Sequence, residues 1–250
     1  MVVRLLVARI LAGLMAVAPA VVLSVAPVMA GPWPREVGAV FLSLSREQSR
    51  DGLGYSSIYG EYGLGPRLTL GGELGQTRGE SNALIWLQWA RDPGRGANRW
   101  ATSLGLGVIR REGSLHPVGQ LALHWGRGLD SLPLLKALPG GGWIAADLRT
   151  KISTRLTSED IHTPGAETRI TYLTPQSVTK LDLTLGWNAR DRLKLIGQLQ
   201  LEHRDDGSQS RLALSAVQDI MGPLQLELGA IAPLDGRGEP ALKLGVWLDF

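Results

Sequence analysis

The chain has no cysteine, only two phenylalanines among 250 residues, and little imbalance of charge, with 26 Lys and Arg against 23 Asp and Glu. Without cysteine there is no disulfide framework, no thiolate metal site and no thiol for lipid attachment. The near balance offers no basic surface of the kind a nucleic-acid partner requires. A further absence is more telling. After residue 30 no stretch reaches the roughly 18 successive apolar residues of a spanning helix. Only a closed set of strands could then take the chain through a bilayer.

What is present starts with Arg4 and Arg9 in an acid-free stretch, continues through the apolar run 10–17, and reaches Val28, Met29 and Ala30 before Gly31. A basic start, an apolar middle and small residues at the end predict a cleaved secretory signal over 1–30, leaving one domain over 31–250. Pro19 and Pro27 interrupt the run and Pro32-Trp33-Pro34 follows it, which disfavours an uncleaved anchor. Removal takes away two arginines and no acid, so the apparent basicity, a pI near 9.4, largely belongs to the signal.

The remainder alternates. Stretches of period two occur near 37–45, 54–63, 68–74, 82–91, 102–108, 120–125, 142–156, 181–187, 193–201, 210–219, 224–230 and 240–250. Most are near the length that crosses a bilayer at a tilt. An even number of antiparallel strands with both termini on one side predicts an all-β, up-and-down transmembrane barrel of about twelve strands in the outer membrane of a Gram-negative cell. Short turns at Leu64-Gly65-Pro66, Asn188-Ala189-Arg190-Asp191 and Met221-Gly222-Pro223 fall on the periplasmic side; 205–208 and 235–239 face outward. Residues 127–141 form a long periplasmic connection with a helical turn expected within 132–138, and 157–177 is the longest outer loop, whose flanks could extend as a projecting hairpin. Tyr62, Trp89, Trp100, Trp125, Trp187 and Phe250 then all fall at the periplasmic ends of strands on the apolar face, as an interfacial girdle would. A soluble sandwich is the rival, but it requires a core of bulky residues that two phenylalanines and 32 glycines supply poorly.

The last strand carries Leu242, Leu244, Val246, Leu248 and Phe250 on one face, and its ending resembles the closing strand of bacterial outer-membrane barrels. That resemblance implies an assembly signal at Leu248 and Phe250 read by the barrel-assembly machinery, with outer-membrane lipid as the other partner. Tyr62-Gly63-Leu64-Gly65-Pro66-Arg67-Leu68-Thr69-Leu70-Gly71 also resembles a hairpin of uncharacterised proteobacterial transporter barrels of the phenol-degradation-associated family, and 186–195 echoes it. The resemblance covers the signal, two hairpins and the last strand, and it implies class alone.

With the apolar parity toward lipid, the other parity lines the lumen. Acids there are Glu61, Glu73, Asp147, Asp182, Glu202, Asp219, Glu227 and Asp249; bases are Arg67, Arg149, Lys151, Lys180, Lys194, Arg204, Arg211 and Lys243. Equal numbers of each sign predict mutual pairing and weak ion selectivity, since a selective pore shows a ring of one sign. Close pairing of Arg149, Lys180 and Asp182 across the lumen would indicate a plug, and separation around it a pore. His116, Gln120 and His124 share the inward parity, but the histidines are about 26 Å apart along the strand and cannot share a metal. No cofactor is expected, because Gly140-Gly141-Gly142 lacks the flanking strand, helix and Lys-Ser/Thr of a phosphate site.

These features favour a low-conductance passive channel for a small polar solute, with a closed structural or surface-interaction barrel as the alternative. No enzyme is expected. A lipid hydrolase would need a base against a hydroxyl with a third group orienting it, and His203 with Ser208 or Ser210 and Asp205 or Asp206 is the nearest approach.

Overall fold

The computed structural model describes residues 31–91, 97–111, 113–132, 135, 139–163, 166–205, 207–236 and 238–250, with the backbone alone for 155–174. The predicted signal over 1–30 lies outside the described residues. Twelve strands follow in order: β1 (Val40–Ser49), β2 (Gly54–Gly65), β3 (Leu68–Gln76), β4 (Glu80–Ala90), β5 (Asn98–Arg111), β6 (Ser114–Gly128), β7 (Gly142–Thr163), β8 (Ala166–Arg190), β9 (Leu193–Arg204), β10 (Gly207–Met221), β11 (Leu224–Pro233) and β12 (Ala241–Asp249). Each pairs antiparallel with its chain neighbours, and β12 closes on β1, so the sheet has no edge. The closing register sets Leu248 against Leu42 and Leu244 against Arg46. Phe250 extends it, its amide bonding the Val40 carbonyl at 2.8 Å and its carbonyl accepting from the Val40 amide at 3.0 Å.

Period two separates the faces. Leu104, Leu106, Leu121, Leu228 and Leu242 point outward and are 66%, 69%, 63%, 62% and 71% exposed. Soluble proteins rarely leave so continuous an apolar surface open. Tyr62, Trp89, Trp100 and Phe250 stand at the end where β1 begins and β12 finishes, exposed on the outer face. Trp125 lies 6.4 Å from Trp100 between ring centroids, and the Trp187 indole nitrogen donates to the Pro139 carbonyl at 2.9 Å. The girdle expected from the sequence therefore sits at one end, called here the terminal end, and the opposite one the far end.

Two connections bear on what the sequence led one to expect. The 157–177 segment forms the extended hairpin that its flanks suggested in place of an open loop, β7 and β8 running on in register until Thr163 meets Ala166; β-branched residues at Thr157, Ile161, Thr168 and Ile170 suit it. In the 127–141 connection a 3₁₀ turn stands at Leu129–Ser131 and the Leu135 amide bonds the Leu132 carbonyl at 3.0 Å; of the helical turn expected within 132–138, residues 133, 134 and 136–138 lie outside the described residues. The Ser131 hydroxyl donates to the Gly128 carbonyl at 2.6 Å and accepts from Arg127 Nε at 2.7 Å, which secures the turn there. Between β1 and β2, the Ser49 hydroxyl and then the Leu53 amide bond the Asp51 carboxylate and hold it below the usual carboxylate range.

Candidate functional site

The inward faces of the strands enclose a lumen in which most of the predicted charged set meets its counterparts. Lys180 pairs with Glu202 at 2.6 Å, and Arg204 also reaches Glu202. Arg149 pairs with Asp182 on the adjacent strand. Lys243 meets Glu227 at 2.9 Å, Lys194 meets Asp219 at 3.9 Å, and His124 Nδ1 meets Asp147 at 2.5 Å. These pairs join neighbouring strands or, for Arg204, residues of one strand, so the charges neutralise one another along the wall. Two longer contacts join strands that are not neighbours: Lys151 to Glu73 at 4.0 Å and Arg211 to Glu47 at 3.8 Å. Arg149 and Asp182 thus pair sideways between β7 and β8 while Lys180 turns to Glu202, which is neither pairing across the lumen nor separation around it. A buried charge without its partner is costly, and most of these ions lie beside one of opposite sign, Asp147 being the exception in having a histidine.

A cavity of about 270 Å³ occupies the far half of the lumen, bounded by Glu47, Tyr55, Lys151, Gln200, Arg211 and Lys243 among others. Glu73 Oε1 accepts from the Tyr55 hydroxyl at 3.0 Å and from Asn82 Nδ2 at 3.3 Å. Two polar atoms of its lining, Arg149 Nε and Gln200 Oε1, are buried without a protein partner, a state that ordered water or a bound solute would relieve.

The predicted histidines do not form one site. His124 bonds Asp147 and lies 3.1 Å from the Ser103 hydroxyl, whereas His116 is buried nearer the far end of the same strand, as is Gln120 between them. Among the described residues no group of His, Asp and Glu is placed to hold a metal. Arg67 departs from its expected position: it is exposed in the β2–β3 turn, where chain reversal carries it out of the lumen. At the far end His203 Nδ1 does face Ser208 Oγ at 2.8 Å across the β9–β10 hairpin. Asp205 instead accepts from the amide and hydroxyl of Ser177 at 3.1 and 3.0 Å. Asp206 lies outside the described residues.

Two features of the lumen were not anticipated. The first is aromatic. Phe41, Tyr59, Trp86, Trp143 and Trp247 carry inward parity, and Tyr59 packs on the buried cluster of Leu84, Trp86, Ile109 and Val118. Phe41 lies edge-on to Tyr59 at 6.2 Å and to Trp247 at 5.7 Å. Two of the indoles cover glycines of the adjacent strand: a β-carbon at Gly71 would overlap Trp86, and one at Gly186 would overlap Trp143. The register pairs Gly71 with Trp86 and Trp143 with Gly186, which is the signal that could have revealed it. A bare glycine lets a ring lie flat on the sheet, the arrangement known as aromatic rescue.

The second is the segment before β1. Residues 31–36 cross the terminal end of the lumen from the β1–β3 wall to the β4–β7 wall. Arg35 anchors one side: its amide bonds the Thr69 hydroxyl at 3.0 Å, its side chain meets Glu61 at 2.6 Å and Asp249 at 3.7 Å, and its guanidinium carbon stands 4.5 Å over the Phe41 ring. Pro32 is buried, Trp33 lies where a β-carbon of Gly126 would be, and the Gly31 carbonyl accepts from Gln88 Nε2 at 3.0 Å. Proline-rich sequence carries no strand period, so this strap left no trace in the alternation pattern.

No protein-family description and no curated protein matches the chain. Solved structures do. The KdgM porin superposes with a TM-score of 0.53 at 7% identity over 84% of this chain and 99% of that one. The NanC porin gives 0.51 at 8%, over 84% and 98%. The translocator domain of autotransporter NalP from Neisseria meningitidis gives 0.52 at 11%, over 86% and 90%. At these identities the likeness is one of fold, a closed antiparallel barrel.

Proposed function

We propose that this chain is an outer-membrane barrel serving as a narrow passive conduit for small polar solutes. The observation that carries the reading is the lateral pairing of lumen charges around a polar cavity of about 270 Å³. Most of these pairs run along the wall, while Lys151–Glu73 and Arg211–Glu47 reach between strands that are not neighbours and narrow the path, and a near balance of signs favours weak ion selectivity. The exposed apolar belt with its one-sided girdle supports a place in the outer membrane of a Gram-negative cell, with lipid on the outer face and the assembly machinery reading Leu248 and Phe250. The likeness to the porins KdgM and NanC supports the same class. The kinship to phenol-degradation-associated transporter barrels that the hairpins suggest belongs to this proposal.

The strap at the terminal end favours a second reading, a closed barrel without transport. Swelling of proteoliposomes separates the two. Folded protein is expected to admit glycerol and a pentose faster than protein-free vesicles and to exclude a trisaccharide. No acceleration for any of these solutes would favour the closed barrel.

A further inference from the structure

We propose that cleavage after Ala30 makes the chain a ligand of its own lumen, the new α-ammonium of Gly31 binding the Asp147 carboxylate and fastening the strap across the terminal end. Hydrolysis of the Ala30–Gly31 peptide bond consumes one water and leaves a carboxylate on Ala30 and an ammonium on Gly31. The position one bond from the Gly31 α-carbon, where a β-carbon would stand, lies 3.6 and 3.7 Å from the two Asp147 oxygens. The amino nitrogen is bonded to that same α-carbon, and once the Ala30–Gly31 bond is cut, rotation about the Gly31 Cα–C bond can carry it to that position, in front of the carboxylate. On the other side of Gly31 the carbonyl is held by Gln88 at 3.0 Å, which fixes the residue in place.

An independent observation shows that a cation is wanted there. Among the described residues, every other acid of the predicted lumen set has a lysine or arginine within 4.0 Å, whereas Asp147 has His124, which is charged only when protonated. The nearby Arg149 is engaged by Asp182. Asp147 has a side-chain exposure of only 15%, and a carboxylate so enclosed is stabilised by a permanent opposite charge. The α-ammonium supplies one without any added ligand. The strap would then be tied at both ends, by Arg35 to Glu61 and Asp249 on one wall and by Gly31 to Asp147 on the other.

The anchor rests on the predicted cleavage site, and the conduit reading enters only through its consequence, that passage waits on release of the strap. The test is acylation of the α-amine in the purified, folded, mature protein, read by mass spectrometry of the N-terminal peptide. Gly31 is expected to be the first residue and to react about tenfold or more slowly in the folded protein than in urea, as a group does when it is reached only through local opening. Asp147→Asn should remove most of that protection. Should that variant fail to fold, one alanine inserted between Ala30 and Gly31 displaces the ammonium while leaving every barrel residue unchanged, and is expected to abolish the protection too. A mature terminus elsewhere, or equal reactivity folded and unfolded, would overturn the anchor. Slow acylation in protein that passes no solute would uphold the anchor and count against the conduit; fast acylation in protein that does pass solute would do the reverse.

Discussion

Glu227→Ala is expected to destabilise the folded barrel by about 3 kcal/mol, the lower end of the cost of removing one partner from a buried ion pair. Glu227 is 2% exposed and accepts from Lys243 Nζ at 2.9 Å and from the Trp247 indole at 3.0 Å. Its space exists because position 245 is glycine: a β-carbon there would come within 2.8 Å of the carboxylate. Removal strands an ammonium and an indole N–H together. The Lys243 side chain keeps 25% exposure, so water recovers part of the loss, which sets the estimate at the lower end. Urea titration of the heat-modifiable folded band is the measurement, and adding Lys243→Met should recover most of the loss by removing the stranded charge. A loss below about 0.5 kcal/mol would mean that the pair stands in water like a surface pair, which the burial of Glu227 contradicts.

Gly186→Val is expected to cost a similar amount, about 3 kcal/mol, at the upper end for overpacking. Gly186 and Trp143 are cross-strand partners, and any β-carbon at 186 enters the indole. The ring cannot move aside freely, since Trp143 is 3% exposed. Trp143→Ala alone should cost about 3–5 kcal/mol through the void it leaves. Combined with Gly186→Val the losses should fall short of their sum by about 1 kcal/mol or more, because the new side chain enters the space the ring vacates. Strict additivity in the same urea titration would refute the packing of ring on glycine.

The outer face of this barrel was legible from the sequence and the inner face only partly so, for one physical reason. An apolar solvent accepts no exceptions over the membrane-crossing height, so Leu242, Leu244 and their counterparts on the other strands repeat with period two and declare the strands, their number and their closure. The lumen imposes no such uniformity. Charged residues of inward parity could be found by counting, and Arg149, Lys180, Asp182 and Glu202 do meet there. Which of them pair depends on register, which alternation alone leaves free. Trp86 and Trp143 went unread because an aromatic inside a polar lumen contradicts the simple division of faces until Gly71 and Gly186 are set opposite them. Arg67 shared the parity of Thr69 but stands in a turn, where parity ends. The strap was hidden because Pro32 and Pro34 suppress any period, although Arg35, Trp33 and Gly31 are held by contacts as specific as those of a strand.

Single-channel recording in planar bilayers tests the central claim most directly. Heat-modifiable, folded protein is expected to give small conductance steps with little preference between potassium and chloride, as a narrow lumen of balanced charge requires. Folded protein that inserts and yields no steps would contradict the conduit and leave a closed barrel.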